Sequence, residues 1–99
     1  MYYDRQGNPI TMEEWGAALA SGADRHVAET TVGDVWVSTV WLGLDHSWDD
    51  GPPLIFETMV FGGPCNEEMH RYSTEVQALA GHDQMVARVQ QACVKEREL

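Results

Sequence analysis

The sequence predicts an α+β domain: a three-stranded antiparallel meander with a short N-terminal helix and a long C-terminal helix, in the order α-β-β-β-α. Three observations carry that expectation. Residues 26–61 are dense in Val, Thr and Trp, and a Gly-Asp pair interrupts the run. Thr11 with Glu14, and Thr74 with Gln77, each spell the start of a helix. Apolar residues beyond Ser73 recur near helical spacing. A chain of 99 residues accommodates this as a single domain, 1–99.

Asp4 to Pro9 is rich in turn formers, with Gly7 open to positive φ and Pro9 disfavouring helix at Asn8. A short helix is expected over 12–20. Thr11 caps it, Ile10 and Trp15 form a hydrophobic staple, and Ser21-Gly22 supplies the stop. Strands are expected over His26–Val32 and Val35–Leu44. Gly33-Asp34 between them fits a two-residue type II′ turn. That turn sets Val32 opposite Val35, Thr30 opposite Val37, Ala28 opposite Thr39 and His26 opposite Trp41. Ala28, Val32, Val35, Val37 and Trp41 then share one face, and Val27, Trp36, Val40, Leu42 and Leu44 the other. Asp45–Pro53 reads as a polar loop, Leu54–Phe61 as the third strand, and Asn66–Arg71 as connection. Ser73 or Thr74 caps the last helix, whose apolar stripe is expected to be Val76, Leu79, Ala80, Val86, Val89 and Cys93. Gly81 inside that helix costs about 1 kcal/mol relative to Ala, so it marks either a break or a close crossing over the sheet.

Sixteen acidic residues against six basic ones give a net charge of −10. That balance opposes direct binding to nucleic acid, which needs a basic surface to displace counterions from phosphates, and to anionic membranes. The helix–meander–helix order also occurs in double-stranded RNA-binding domains, which engage phosphates. Here Glu75 and Asp83 lie in the first turns of the last helix, and the RNA reading fails on charge. Residues 27–72 hold −7 of the net charge, with Asp45, Asp49, Asp50, Glu67 and Glu68 gathered in two loops. Such a patch either keeps the protein soluble or steers a basic partner. The longest apolar stretch, Val35–Leu44, is ten residues, against the about 20 that a spanning helix requires. No basic segment followed by an apolar one opens the sequence, so cytoplasm is the expected compartment.

Chemistry-bearing residues are sparse. Asp45, His46, Asp49 and Asp50 could approach a divalent cation, but the glycine and terminal glutamate of an EF-hand are missing. His46, His70 and His82 with Glu57 are spread too widely to form a known zinc motif. Cys65 follows Gly62-Gly63-Pro64 and precedes His70 by five residues, yet Glu67 and Glu68 oppose a thiolate there. Whether Cys65 and Cys93 pair is left open. The aromatics are the stronger signal. Trp36 and Trp41 point to opposite faces of the second strand, so one of them is expected on a face without helices. An apolar patch fringed by acids is the composition of a protein-binding surface.

The strings at 3–10 (Tyr-Asp-Arg-Gln-Gly-Asn-Pro-Ile), 37–46, 51–63, 71–75 and 78–82 resemble a family of small uncharacterised proteins encoded by bacteriophages of actinobacteria and by some actinobacterial genomes. The resemblance weakens after about residue 90, and it implies a phage accessory protein acting in the cytoplasm of the host bacterium. It brings no catalytic residue with it. The leading expectation is therefore a non-enzymatic acidic module that binds a host or phage protein, without cofactor or metal, through Trp36, Trp41, Trp48, Asp45, Asp49 and Asp50. The alternatives are a metal-dependent hydrolase built on Asp45, His46, Asp49 and Glu57, and a self-assembling component such as a homodimer joined at sheet edges.

Overall fold

Capping boxes and one glycine turn set the element order. The computed structural model of the protein describes residues 1–21, 25–45 and 50–98. Along the chain lie β1 (Tyr2–Tyr3), β2 (Pro9–Ile10), α1 (Met12–Ala20), β3 (His26–Val32), β4 (Val35–Trp41), β5 (Phe56–Phe61), β6 (Met69–Tyr72) and α2 (Glu75–Glu98). The α+β class and both helices match the expectation from sequence. The meander has four strands rather than three, in the order β3-β4-β5-β6. The extra strand, β6, falls within the stretch read as connection. Its residues Met-His-Arg-Tyr include no β-branched side chain, and it forms because the outer edge of β5 offers unpaired backbone groups. Phe56 pairs with Tyr72 and Met59 with Met69.

The turn-rich N-terminus also closes into a small hairpin, with Tyr2 opposite Ile10 and Tyr3 opposite Pro9. The Asp4 carboxylate organises it by accepting the N–H groups of Gln6 at 3.0 Å and Asn8 at 2.8 Å. Those bonds favour the charged carboxylate, and they hold the Asp4 pKa below its usual value, the Asn8 backbone contributing most. The hairpin is tied to the end of β4, where the Tyr3 N–H donates to the Gly43 carbonyl at 2.8 Å. Gly43 has φ +73°, and a Cβ there would lie 2.6 Å from the rings of Trp15 and Trp41, so only glycine fits. This turn ends β4 at Trp41, three residues before the expected limit.

Both capping boxes form. Thr11 Oγ1 accepts the Glu14 N–H and Glu14 Oε1 accepts the Thr11 N–H, each at 3.0 Å. Thr74 and Gln77 repeat the exchange at 3.1 and 3.3 Å at the start of α2. Gly33 has φ +58° while Asp34 keeps negative φ, the signature of the II′ turn. The register runs as expected from Val32↔Val35 to Ala28↔Thr39, then slips. A bulge between His26 and Ala28 sets His26 opposite Val40 instead of Trp41. The same bulge turns Val27 toward the helices, where it packs beside Trp41 rather than on the far face.

α2 lies across all four strands. Val35, Val37, Val60, Cys65 and Val89 form one core cluster beneath it. Trp41, Ile55, Phe56, Tyr72 and Ala78 form the other, joined by Trp15, Ala18 and Leu19 of α1. The expected helix stripe is correct toward the C-terminus and wrong at the start. Ala78, Gly81, His82 and Val89 are buried, while Val76, 78% exposed, and Leu79 point to solvent. Gly81 gives the reason. The helix passes through it unbroken, and a Cβ there would overlap the Tyr72 ring. The closest crossing of helix over sheet thus demands the small residues Ala78 and Gly81, which rotates the larger side chains outward.

Candidate functional site

Strand alternation sorts the sheet into two faces. Val35, Val37, Thr39 and Trp41 of β4 point toward α2; Trp36, Ser38 and Val40 point away. Carried across the register, the outward face holds three rows. Thr31, Trp36 and Phe61 form the row beside the β3–β4 turn. Glu29, Ser38, Met59 and Met69 form the next, and His26, Val40, Glu57 and Arg71 the third. Successive rows lie about 7 Å apart. Both core clusters belong to the opposite face, so this one contributes no residue to either.

Trp36 and Phe61 of the first row, with Met59 and Met69 of the second, make an apolar patch, and Glu29 and buried Ser38 share the second row. Trp36 is 40% exposed, Phe61 42% and Met69 44%. The Trp36 and Phe61 rings stack with centroids 5.0 Å apart and planes 28° from parallel. That contact organises the two rings against each other while leaving nearly half of each in water. The charged groups of the third row are paired: Arg71 Nε donates to Glu57 of the same row at 3.0 Å, and His26 Nδ1 lies 2.9 Å from Glu29 of the second row. Asp34 in the β3–β4 turn is exposed and lines a groove on the helix side with Cys93, Glu96 and Arg97, and Glu67, in the connection after β5, is exposed as well.

The other sequence-predicted site residues are distributed differently. Trp41 is 4% exposed and part of the helix-side core, so it leaves the set of contact residues. Its indole N–H is buried without a partner among the described residues. Asp45 is a brace, its carboxylate accepting the Leu54 N–H at 3.0 Å across the intervening loop. Asp50 is exposed. His46, Trp48 and Asp49 lie outside the described residues. Among the described residues, no three His, Cys, Asp or Glu side chains converge on a metal position. Two groups of the hydrolase reading, Asp45 and Glu57, are occupied by Leu54 and Arg71.

No family model matches the chain, and no curated protein or solved structure shows significant similarity to it. The assignment of chemistry therefore rests on the side chains themselves.

Two further clusters lie away from this face; the first was not legible in the sequence, and in the second only the opposition of Glu68 to a Cys65 thiolate was. His82 sits between threonines from two strands, Thr39 Oγ1 at 2.7 Å from Nδ1 and Thr30 Oγ1 at 2.9 Å from Nε2, and Thr39 Oγ1 also meets Thr58 Oγ1 at 2.5 Å. A hydroxyl against an imidazole is the pairing of an activated nucleophile. Thr39 and Thr58 have no exposed surface, however, and His82 almost none, so no substrate reaches the hydroxyl. The network satisfies polar atoms inside the helix–sheet interface. Burial pushes the His82 pKa down, outweighing the opposing charge of the neighbouring Asp83. The second cluster surrounds Cys65. Burial raises its thiol pKa, with the Glu68 carboxylate acting in the same direction, and Arg88 holds that carboxylate at 2.6 and 2.8 Å. This is the reverse of an activated thiolate. Cys65 and Cys93 are both free thiols.

Proposed function

We propose that this protein is a non-enzymatic binding module that docks another protein on the outward face of its sheet. The observation that carries the reading is the stacked Trp36–Phe61 pair, displayed in water on a face that serves neither core. Tryptophan and other large rings supply a disproportionate share of interface energy, and Met side chains adapt to the partner's shape. Rings held against each other also lose less freedom on binding. The outward residues of α2, Val76, Leu79 and Val94, are exposed too, but they spread over about 27 Å of helix and include no ring. The buried Thr39–His82 network and the suppressed Cys65 thiol support a non-catalytic role.

The resemblance to phage-encoded proteins makes a host or phage protein the natural partner, met in the cytoplasm of the bacterium. Among the described residues, no helix is long and apolar enough to cross a membrane. The test is capture from actinobacterial lysate with and without phage infection, using the wild-type chain, Trp36→Ala and Phe61→Ala. A stoichiometric partner retained by the wild type and lost from both folded variants is the expected result. Recovery of no stoichiometric partner, or retention by both variants, refutes the reading.

A further inference from the structure

The β5–β6 connection and the end of α2 bring the two cysteines into one place. Cys65, 3% exposed, belongs to the buried cluster of Val35, Val37, Val60 and Val89, and Cys93 packs against that same cluster from α2. Val89 and Cys93 are four residues apart in the helix and so share the face turned to the sheet. The Cys65 thiol donates to the Glu68 carboxylate, and Arg88 of α2 holds that carboxylate in turn, which fixes the connection against the helix. The two thiols differ in access. Cys93 is half-buried and lines an open groove of about 430 Å³ together with Val32, Asp34, Gly63, Pro64 and Arg97. That volume lies within the about 300–1,000 Å³ of small-molecule sites. Cys65 follows Pro64 of the groove wall in sequence and is closed to solvent. A reagent in the groove therefore reaches one sulfur and not the other.

We infer that Cys93 and Cys65 form an oxidisable dithiol: Cys93 attacks a low-molecular-weight disulfide in the groove, and Cys65 then displaces it, leaving a bridge that clasps the β5–β6 connection to α2. In the first step the Cys93 thiol loses its proton to water, its sulfur bonds to one sulfur of the reagent, and the reagent's S–S bond breaks. The departing thiolate takes up a proton. In the second step the Cys65 thiol gives up its proton, with the Glu68 carboxylate beside it as acceptor on the way to water. The Cys65 sulfur bonds to the Cys93 sulfur and expels the second thiolate, which is protonated in turn. Two protein thiols are oxidised to one disulfide, and the reagent is reduced to two thiols. Burial keeps Cys65 from reagents in solution, but a sulfur held in the same cluster acts on Cys93 at high effective concentration. The clasp is independent of the docking role, because both cysteines belong to the helix side of the sheet.

In the experiment, native full-length protein at low micromolar concentration is treated with oxidised glutathione, and intact mass, free thiols and a tryptic map are followed. The wild type is expected to lose both free thiols and retain no glutathionyl group. Its map should contain a disulfide-linked pair of peptides, His26–Arg71 with Val89–Lys95. Cys65→Ala should stop at one glutathionyl group on Cys93, and Cys93→Ser should stay unmodified while folded. Circular dichroism checks the fold of both variants, and the linked peptides of the wild type stand without them. The bridge closes the chain between residues 65 and 93, so the oxidised monomer should melt roughly 10 °C above the reduced one, and dithiothreitol should reverse the shift. A wild-type chain that keeps a glutathionyl group on Cys93 overturns the inference, because Cys65 then fails to displace it. So does a disulfide-linked dimer, a chain that stays fully reduced, or modification of Cys93→Ser as fast as of the wild type. A bridge that forms without raising Tm leaves no clasp and overturns the inference as well.

Discussion

Gly81→Ala puts two measurable effects in opposition. In a helix interior, alanine is favoured over glycine by about 1 kcal/mol. At position 81 the new methyl would overlap the Tyr72 ring at Cε1, Cζ and the hydroxyl. That ring cannot swing clear, because it is buried among Trp41, Ile55, Phe56 and Ala78. Forcing an extra carbon into a packed core costs about 1–3 kcal/mol, so the crossing outweighs the propensity. The expected net loss is about 1 kcal/mol, a fall in Tm of roughly 4–8 °C for a domain of this size. Gly16 supplies the control within the same molecule. It lies inside α1 with nothing within 4 Å of a Cβ, so Gly16→Ala should stabilise by about 0.5–1 kcal/mol. Urea denaturation followed by circular dichroism reads both, with unchanged m-values required for the comparison. In a Tyr72→Ala background the overlap disappears, and Gly81→Ala should then become stabilising. If Gly81→Ala stabilises the wild-type chain as much as Gly16→Ala does, the close crossing is not the reason for glycine at this position.

Two further outcomes follow from buried groups. His82 titrates below its ordinary 6.5 in the folded state because burial disfavours the imidazolium. The unfolded chain therefore takes up that proton first, and His82's contribution to stability, complete above about pH 6.5, is lost as pH falls toward the folded-state pKa. Urea midpoints between pH 8 and pH 5 should fall more steeply for the wild type than for His82→Asn, and equal pH profiles would contradict the assignment. Cys65, buried with a raised pKa, should react with an aromatic disulfide reagent only after unfolding, whereas half-buried Cys93 should react in the native protein. Equal native rates for single-cysteine variants at the two positions would refute this.

Much of the architecture was legible from local chemistry. Thr11-Glu14, Thr74-Gln77 and Gly33-Asp34 are decided within four residues, and each formed as read. Trp36 and Trp41 were separated onto opposite faces by the period of two along β4. What escaped depends on contacts distant in sequence. β6 exists because β5 has an edge to satisfy, and Met69–Tyr72 carries no propensity signal of its own. The bulge at His26–Ala28, which re-aims Val27, follows from packing beside Trp41 rather than from any turn residue. The outward placement of Val76 and Leu79 follows from the Tyr72–Gly81 crossing, a contact between a strand not seen in the sequence and a helix residue flagged only as anomalous. At the candidate site, the Trp36–Phe61 stack needed the β4–β5 register, and the Thr30–Thr39–His82 network joins two strands to a helix through residues with no motif in common.

α2 follows all four strands of the meander and yet forms the principal layer over it. During synthesis, the ribosome therefore releases all four strands before the segment that shields them is complete. In that interval Val37, Phe56 and Val60 are as open to water as Trp36 and Phe61, and strand-to-strand aggregation competes with productive folding. Holding the nascent chain with α2 still inside the ribosomal exit tunnel would isolate this intermediate, with both surfaces of the meander accessible to a chaperone and only one of them destined to stay that way.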